Sequence, residues 1–366
     1  MATYREIKGL TVQSLSSDPS LGSGNEGQVW FNSTSGKLKS LVAFAAWSST
    51  NSLVTPRQGY ASSFGPQTAG IAAGGYTYPS PAPTNTAKCE EYNGTGWTNI
   101  TDVNNPGYGS QGAGTIAAGI CFGMASPGPL RPRTEEYDGT SWTAATAMNT
   151  GHGYFSGGGT LTAAIAAGGN VPAASLIAEE WNGTGWTTIN SMVGTARTSY
   201  LGTGTTSAFW CAGGYTPPTT FQAETEQYDG TSWTAGGAPN TARSFGGASG
   251  PATAALQFGG TSANPSGDVT YNWAKTESYD GTTWTELGSE MSTARGQGFQ
   301  LGTTNTAALV ASGTNPHSNP AVEEYSVSIN SVTAGAWATG GTLGTGRQNG
   351  SGMGISTAAL VAGGEV

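Results

Sequence analysis

Residues 135–143 read EEYDGTSWT, and variants return as EEYNGTGWT at 90–98, EEWNGTGWT at 179–187, EQYDGTSWT at 226–234 and ESYDGTTWT at 277–285. Chemistry needs its constellation of groups once, so a phrase restated along a chain is a building instruction. Trp97, Trp142, Trp186, Trp233, Trp284 and Trp337 stand 45, 44, 47, 51 and 53 residues apart. That period suits a unit of four short strands, the blade of a propeller.

One unit can be read strand by strand. About ten residues after each Trp comes an Arg or its substitute: Arg57, Gly107, His152, Arg197, Arg243, Arg295 and Arg347. A Gly-rich strand A follows. An Ala-rich strand B then ends in Gly-Gly, as in AAIAAGG (163–169) and AFWCAGG (208–214). Short continuous apolar runs of this kind fit strands buried on both faces. Strand C carries Glu-Glu-Tyr and strand D carries Trp, with Asn-Gly or Asp-Gly between them as a hairpin signal.

Strand B occurs seven times, near Ala72, Ala118, Ala166, Phe209, Leu256, Leu309 and Leu360, but the Glu-Glu-Tyr phrase occurs six times. The segment GQVWFNSTSGKLKSLVAFAAW (27–47) has a turn signal at Phe31–Gly36 and ends in Trp47, ten residues before Arg57. The expected fold is therefore all-β: a seven-bladed propeller in which N-terminal strands complete the C-terminal blade begun near 358–364. Closure of this kind removes a free sheet edge.

Composition narrows the function. Net charge is −9 and no basic cluster occurs, which argues against a nucleic-acid partner. No apolar run nears the roughly 18 residues of a membrane span, so no membrane insertion is expected. Gly reaches 59 residues, yet 11 Trp, 14 Tyr and 10 Phe placed periodically mark a folded chain rather than a linker. Cys89, Cys121 and Cys211 lack metal or redox spacing and read as small apolar residues in strands of a chain made in a reducing cytoplasm.

The Gly-Gly pair with its spaced Tyr and Trp resembles the kelch-type propeller repeat over roughly residues 28–366, departing from it in a Tyr–Trp spacing of five residues. The wording TAALxxGG, TEEYdGtsWT and NTAR is similar to repeats in virion structural proteins of marine tailed bacteriophages of the cyanophage and pelagiphage type. The segments ATYREIKGLTVQS and GQVWFNSTSGKLK resemble N-terminal parts of phage tail and fibre proteins. The resemblance implies a virion component synthesised in the host cytoplasm. In that reading, residues 1–27 form an arm that docks to the particle and residues 28–366 form the propeller. Other virion proteins, a host-surface glycan or protein, and further copies of the chain are the partners it implies.

No catalytic residue, cofactor or metal site is expected. Only His152 and His317 are available as imidazole ligands, and the carboxylates are mostly repeated or turn-forming. Asp102, Asp268 and Glu286 have no evident partner in the sequence. The repeated Trp and Tyr are expected to pack between blades. The repeated Glu and Arg are expected to satisfy backbone or pair with each other, with an anion-binding Arg ring as the sharper alternative. Variation concentrates in the B–C loops, where Tyr76, Tyr78, Tyr215, Phe221, Tyr271 and Trp273 are the candidate binding residues. Two functions follow: a structural virion component whose loops recognise a protein or glycan, or a carbohydrate-active propeller that binds or hydrolyses glycans.

Overall fold

The computed structural model describes residues 13–19, 28–58, 61–77, 84–125, 130–171, 173–218, 220–262, 271–314, 319–333, 351–355 and 358–362. The chain divides into two compact units, Phe44–Ser328 and Met1–Ala43 with Ile329–Val366.

Within Phe44–Ser328 the described residues form six sheets on one plan, A-B-C-D from inside outward. The first is Ser62–Phe64, Gly70–Ala73, Cys89–Tyr92 and Trp97–Ile100, and the second is Gln111–Thr115, Ala118–Phe122, Thr134–Tyr137 and Trp142–Ala144. The third is Ser156–Thr160, Ala163–Ala167, Ala178–Trp181 and Trp186–Ile189. The fourth is Leu201–Thr205, Ala208–Ala212, Thr225–Tyr228 and Trp233–Gly236, and the fifth is Gly247–Ser249, Ala255–Phe258, Thr276–Tyr279 and Trp284–Leu287. The sixth takes Phe299–Thr304, Ala307–Ala311 and Val322–Thr333, and its D strand is Lys37–Thr50 from the other end of the sequence. The architecture is all-β and propeller-like.

The N-terminal strand thus lies where the sequence reading did not put it. Trp47 packs on Tyr325 and Phe258 with ring centroids 5.4 and 5.1 Å away. Its Nε1 donates to Thr276 Oγ1 at 2.8 Å, as Trp284 Nε1 does to Thr225 and Trp186 Nε1 to Thr134. Trp47 therefore fills the D-strand role of the sixth sheet. The seventh A–B pair, Ser351–Ile355 with Ala358–Ala362, is a two-stranded antiparallel sheet in the other unit. Trp337 and Arg347 lie outside the described residues.

Burial explains the repeat. The B strands are buried almost throughout, because each lies mid-sheet with a neighbouring sheet on both faces. The C-strand aromatic and D-strand Trp pair across their hairpin, with centroids 4.8 Å apart for Tyr137–Trp142 and 5.6 Å for Trp181–Trp186. The same Trp meets the preceding sheet, as Trp142 does Phe64 and Trp186 does Phe122. The five repeated Trp are all buried, as expected of residues packed between blades. Inner strands approach too closely for side chains: a Cβ on Gly112 would sit 2.6 Å from the Phe64 ring.

The C–D hairpins are four-residue loops built on an Asx turn. Asp138 Oδ1 accepts from Thr140 N, Thr140 Oγ1 and Ser141 N, and Oδ2 accepts from Ser141 Oγ. Asp229 and Asp280 repeat this with Ser232 and Thr283. Asn93 and Asn182 keep the three Oδ1 bonds, but Gly96 and Gly185 stand in the fourth place. The repeats therefore pair Asp with a hydroxyl and Asn with Gly, because a carboxylate has a second oxygen to accept with and a carboxamide does not. Gly139 takes φ +93° in this loop, a conformation that favours glycine.

In the other unit Gln13–Leu15 pairs parallel with Val29–Asn32, which pairs antiparallel with the start of Lys37–Thr50 around the expected turn. Asp18 anchors it, accepting from Asn32 Nδ2 at 2.6 Å and Trp30 Nε1 at 3.3 Å and pairing with Lys39 at 2.7 Å.

Candidate functional site: the face of the B–C and D–A loops

At this face the repeated ionisable residues are turned on one another and on the backbone. Glu90, Glu179, Glu226 and Glu277 each accept backbone N–H groups of the D–A segment, for example Asn149 N and Thr150 N to Glu179 at 2.8 and 2.9 Å. Each also pairs with a buried basic side chain: Arg57 with Glu90, the His152 imidazole with Glu179, Arg197 with Glu226, Arg243 with Glu277, and likewise Arg295 with Glu323. The guanidinium groups donate onward to carbonyls that end strand B, such as Ala72 O and Gly259 O. In the second sheet Gly107 stands in place of Arg, and Glu135 is held instead by Asn104 N, Asn104 Nδ2 and Asn105 Nδ2. Burial pushes the Glu179 carboxyl upward, but the bonds from His152 and Asn149 outweigh it and hold the group low. These arginines are structural clamps facing carboxylates, and the anion-ring alternative does not hold for them.

Two isolated carboxylates also gain partners, because the C and D strands bring Lys within reach. Asp102 pairs with Lys88 at 2.9 Å and Glu286 with Lys275 at 2.7 Å, while Asp268 lies outside the described residues. The three cysteines are buried and free, and burial pushes the Cys89 thiol up to about 12. Among the described residues no three His, Cys, Asp or Glu gather where they could hold a metal ion.

Two residues beyond the clamp position of the second to sixth sheets the chain turns left-handed: Gly109, Tyr154, Ser199, Phe245 and Gln297 have φ between 54 and 68°. Such values are rare for bulky residues and persist where surroundings impose them. Here a belt of hydrogen bonds does so, each N–H donating to the previous sheet: Tyr154 to Gly109 O, Ser199 to Tyr154 O, Phe245 to Ser199 O and Gln297 to Phe245 O, at 2.6–3.2 Å. Beside the belt, bridges Gln58↔Tyr76, Thr198↔Tyr215 and Ser244↔Thr261 pin the bases of the B–C loops. Three of those loops fold back as small hairpins: Tyr76–Thr77 with Thr84–Asn85, Tyr215–Thr216 with Thr220–Phe221, and Thr261–Ser262 with Tyr271–Asn272.

The aromatic side chains here touch one another in sequence. Ring centroids are 5.2 Å apart for Tyr76–Tyr108, 6.0 Å for Tyr108–Tyr154 and 6.2 Å for Tyr154–Phe245. They continue at 6.0 Å for Phe245–Tyr215 and 6.2 Å for Tyr215–Phe221. All six rings are half-buried. The Tyr76 hydroxyl accepts from Gln58 Nε2 at 3.1 Å and donates to Gln297 Oε1 at 3.2 Å. Burial, then the phenols of Tyr108, Tyr76 and Tyr215, push the Tyr154 hydroxyl far above its usual value, so it stays protonated.

Of the sequence candidates, Tyr76, Tyr215 and Phe221 join this cluster. Trp273 stands apart, donating to Ser262 Oγ at 2.5 Å under the Lys275 ammonium. Tyr271 lies on its hairpin strand, and Tyr78 falls outside the described residues. Tyr108, Tyr154, Phe245, Gln58 and Gln297 were missed. Their signal was available: one or two residues after the clamp, the repeat varies freely where packing would have held it constant.

A cavity of about 540 Å³ is lined by the A strands of all six sheets, including Gly112, Gly158, Thr203, Ala248 and Gln300. Among the described residues lining it none is titratable.

No protein-family model matches the sequence, and no curated protein matches it. The chain is similar in structure to a protein named YjhT, at 12% identity and a TM-score of 0.59, over 76% of this chain and 99% of that one. At this identity the likeness is one of fold.

Proposed function

We propose that the protein is a structural virion component of a tailed phage whose propeller displays loops for recognition of a partner protein or a host-surface glycan. The observation that carries this reading is the contrast between near-identical sheets and non-identical hairpins pinned on one face. A scaffold that spends its repeated Glu, Arg and His on its own backbone, around a cavity without titratable lining, is built to hold loops rather than to move protons. The virion assignment comes from the wording of the repeats and of the N-terminal segment, with residues 1–27 as the docking arm.

The same reading includes a closed ring. The sixth inner strand meets the first, with Gln300 N donating to Ser63 Oγ at 3.0 Å and Gly302 N to Gly65 O at 3.0 Å. Six blades closed by Lys37–Thr50 account for these contacts. A seventh blade on Ser351–Ile355 and Ala358–Ala362 needs C and D strands of its own, since Lys37–Thr50 is already used.

The test is direct. Immunogold labelling and mass spectrometry of purified particles should find the chain on the virion, and purified protein should attach to host cells. Absence from particles overturns the assignment. Release of reducing sugar from host polysaccharide would favour the carbohydrate-active alternative instead.

A further inference from the structure

We infer that Arg131 and Arg133, on the B–C loop of the second sheet, form a docking point for a carboxylate side chain on the surface of an acidic partner protein. The inference rests on the loop-face reading above and names the chemistry that this face answers.

The repeat shows what is missing around Arg133. It stands two residues before Glu135, the place held by Lys88 before Glu90 and by Lys275 before Glu277. Both lysines have a carboxylate on the D-strand side of their own sheet, Asp102 for Lys88 and Glu286 for Lys275. In the second sheet both of those positions are alanine. Ala144 pairs in register with Glu135 as Glu286 does with Glu277, and Ala147 follows its D-strand Trp by five residues as Asp102 does. The cation is kept and its partner is gone. Among the described residues of Phe44–Ser328, every other Lys and Arg has a carboxylate partner, whereas Arg131 and Arg133 have none.

Backbone bonds set the two arginines in place. Arg131 N donates to Met124 O at 3.0 Å, Gly123 N to Arg133 O at 2.8 Å and Met148 N to Pro132 O at 2.8 Å. Pro132 also keeps Arg131 out of helical backbone. Little ordering of this segment is therefore left to pay for on binding. Arg131 is exposed and Arg133 half-buried, with its Nη1 enclosed and without an acceptor. Burial pulls the Arg133 guanidinium below its usual value, Glu135 counters this, and the Arg131 charge adds to it. Glu135 is itself held by Asn104 and Asn105, so one committed carboxylate stands against two guanidinium groups. The enclosed Nη1 is out of reach. A ligand meets Arg131 and the part of Arg133 that solvent reaches, where a carboxylate supplies the missing charge and accepts from the guanidinium N–H groups.

Shape selects the occupant. The cleft beside Arg133, lined also by Ser62, Asn105, Ser110 and Glu135, has a volume of about 20 Å³, room for about one water. It offers no wall to hold the ring of an acidic sugar, whereas Asp or Glu brings its carboxylate on a narrow stem. Arginine is also enriched where proteins meet proteins. In a chain of net −9 this pair is a place where an acidic surface can approach, which fixes register as well as attraction.

The experiment presents the full-length chain with fluorescent peptides of Gly alternating with Glu, Asp, Gln or Lys, and with oligoglucuronate and sialyllactose. Binding is read by polarisation, or by calorimetry for the sugars, at low and high salt. The Glu and Asp peptides should bind at low salt, weaken at high salt, and outbind the Gln and Lys peptides and the acidic sugars. Arg131→Gln should weaken them by about tenfold or more with the melting temperature nearly unchanged. Ala144→Glu, which gives Arg133 the partner that Lys275 has, should weaken them too. Lys88→Gln, a cation at the same repeat position as Arg133, should leave them as in wild type. Equal binding of Glu and Gln peptides, preference for the acidic sugars, or binding unaltered in both Arg131→Gln and Ala144→Glu overturns the inference. If wild type attaches to particles or host cells and the Arg131→Gln, Arg133→Gln double variant attaches equally, the loop-face reading survives and the docking point is refuted. If acidic peptides bind through the two arginines but the chain is found on neither particles nor host cells, the docking point stands and the virion assignment is overturned.

Discussion

Glu277→Gln and Arg243→Met remove opposite halves of one clamp, and the structure predicts unequal consequences. Glu277 accepts from Asn240 N at 2.8 Å and Asn240 Nδ2 at 3.0 Å besides pairing with Arg243. Without the Arg, those two donors remain on the carboxylate, as they do on Glu135 opposite Gly107. Without the Glu charge, a guanidinium with no exposed surface is left with neutral acceptors alone, the carbonyls of Gly259 and Lys275 and the Gln carboxamide oxygen. Breaking a buried pair to leave an uncompensated charge costs about 3–5 kcal/mol, so Glu277→Gln should lower the melting temperature by roughly 4–8 °C.

Arg243→Met keeps most of the volume and leaves Glu277 Oε1 and Gly259 O short of a donor, while Lys275 O keeps Gly259 N at 3.0 Å; the loss is about 1–3 kcal/mol at each of the two, offset in part by the apolar burial of Met. Calorimetry of the two variants and of their combination resolves the order. If Arg243→Met proves as damaging as Glu277→Gln, the guanidinium is the keystone of the joint and the reasoning from the second sheet is wrong.

Other outcomes follow from the same contacts. Asp138→Asn should lose the Ser141 hydroxyl bond and destabilise by about 0.5–1.5 kcal/mol, with Ser141→Gly recovering part of it; additive losses would show that the two residues are not coupled. Asp138, Asp229 and Asp280 have depressed carboxyls, from hydroxyl and backbone donors, so their stabilisation is complete above about pH 4 and is lost as pH falls toward the folded values. The melting temperature should therefore drop below that pH, and a flat profile between about pH 5 and 2 would contradict it. Gly139→Val, at φ +93°, should destabilise by about 1–3 kcal/mol in urea unfolding. Trp142→Ala should cost about 3–5 kcal/mol and Trp47→Ala less, because Trp142 is buried and Trp47 only partly so; a Trp47→Ala variant as stable as wild type would argue against its place in the sixth sheet.

Much of this fold is legible because each repeat answers the same packing problem. The Ala-rich run before Gly-Gly, the Tyr–Trp pair and the Glu of strand C name their own surroundings, and the structure buries them as expected. The position of Trp47 was harder to read. Its spacing to Arg57 marks it as a D-strand residue, but spacing cannot say which C strand it joins, and counting B strands assigned it to the wrong neighbour. The Asp–Ser and Asn–Gly pairing was present in five copies of the turn and needed the carboxylate's second oxygen to be understood. The aromatic cluster was only half visible. Tyr76, Tyr215 and Phe221 stood out in variable loops, whereas Tyr154, Phe245 and Gln297 occupy a repeat position whose left-handed backbone no local sequence announces.

That position also indicates where specificity can evolve. The backbone belt holds it with N–H and carbonyl groups that any non-proline residue supplies, so the side chain is released from structural duty. Gly109, Tyr154, Ser199, Phe245 and Gln297 are five different solutions on one backbone geometry. The clamp two residues earlier is more constrained, because its partner carboxylate is buried and must be answered: by Arg in most sheets, by His152 in the third, and by Asn104 and Asn105 where Gly107 stands. Constrained chemistry next to freely varied chemistry, at fixed separation in successive sheets, lets a chain change the surface it presents without changing how it folds. On this logic a substitution at the belt should alter binding before stability, and one at the clamp should do the reverse.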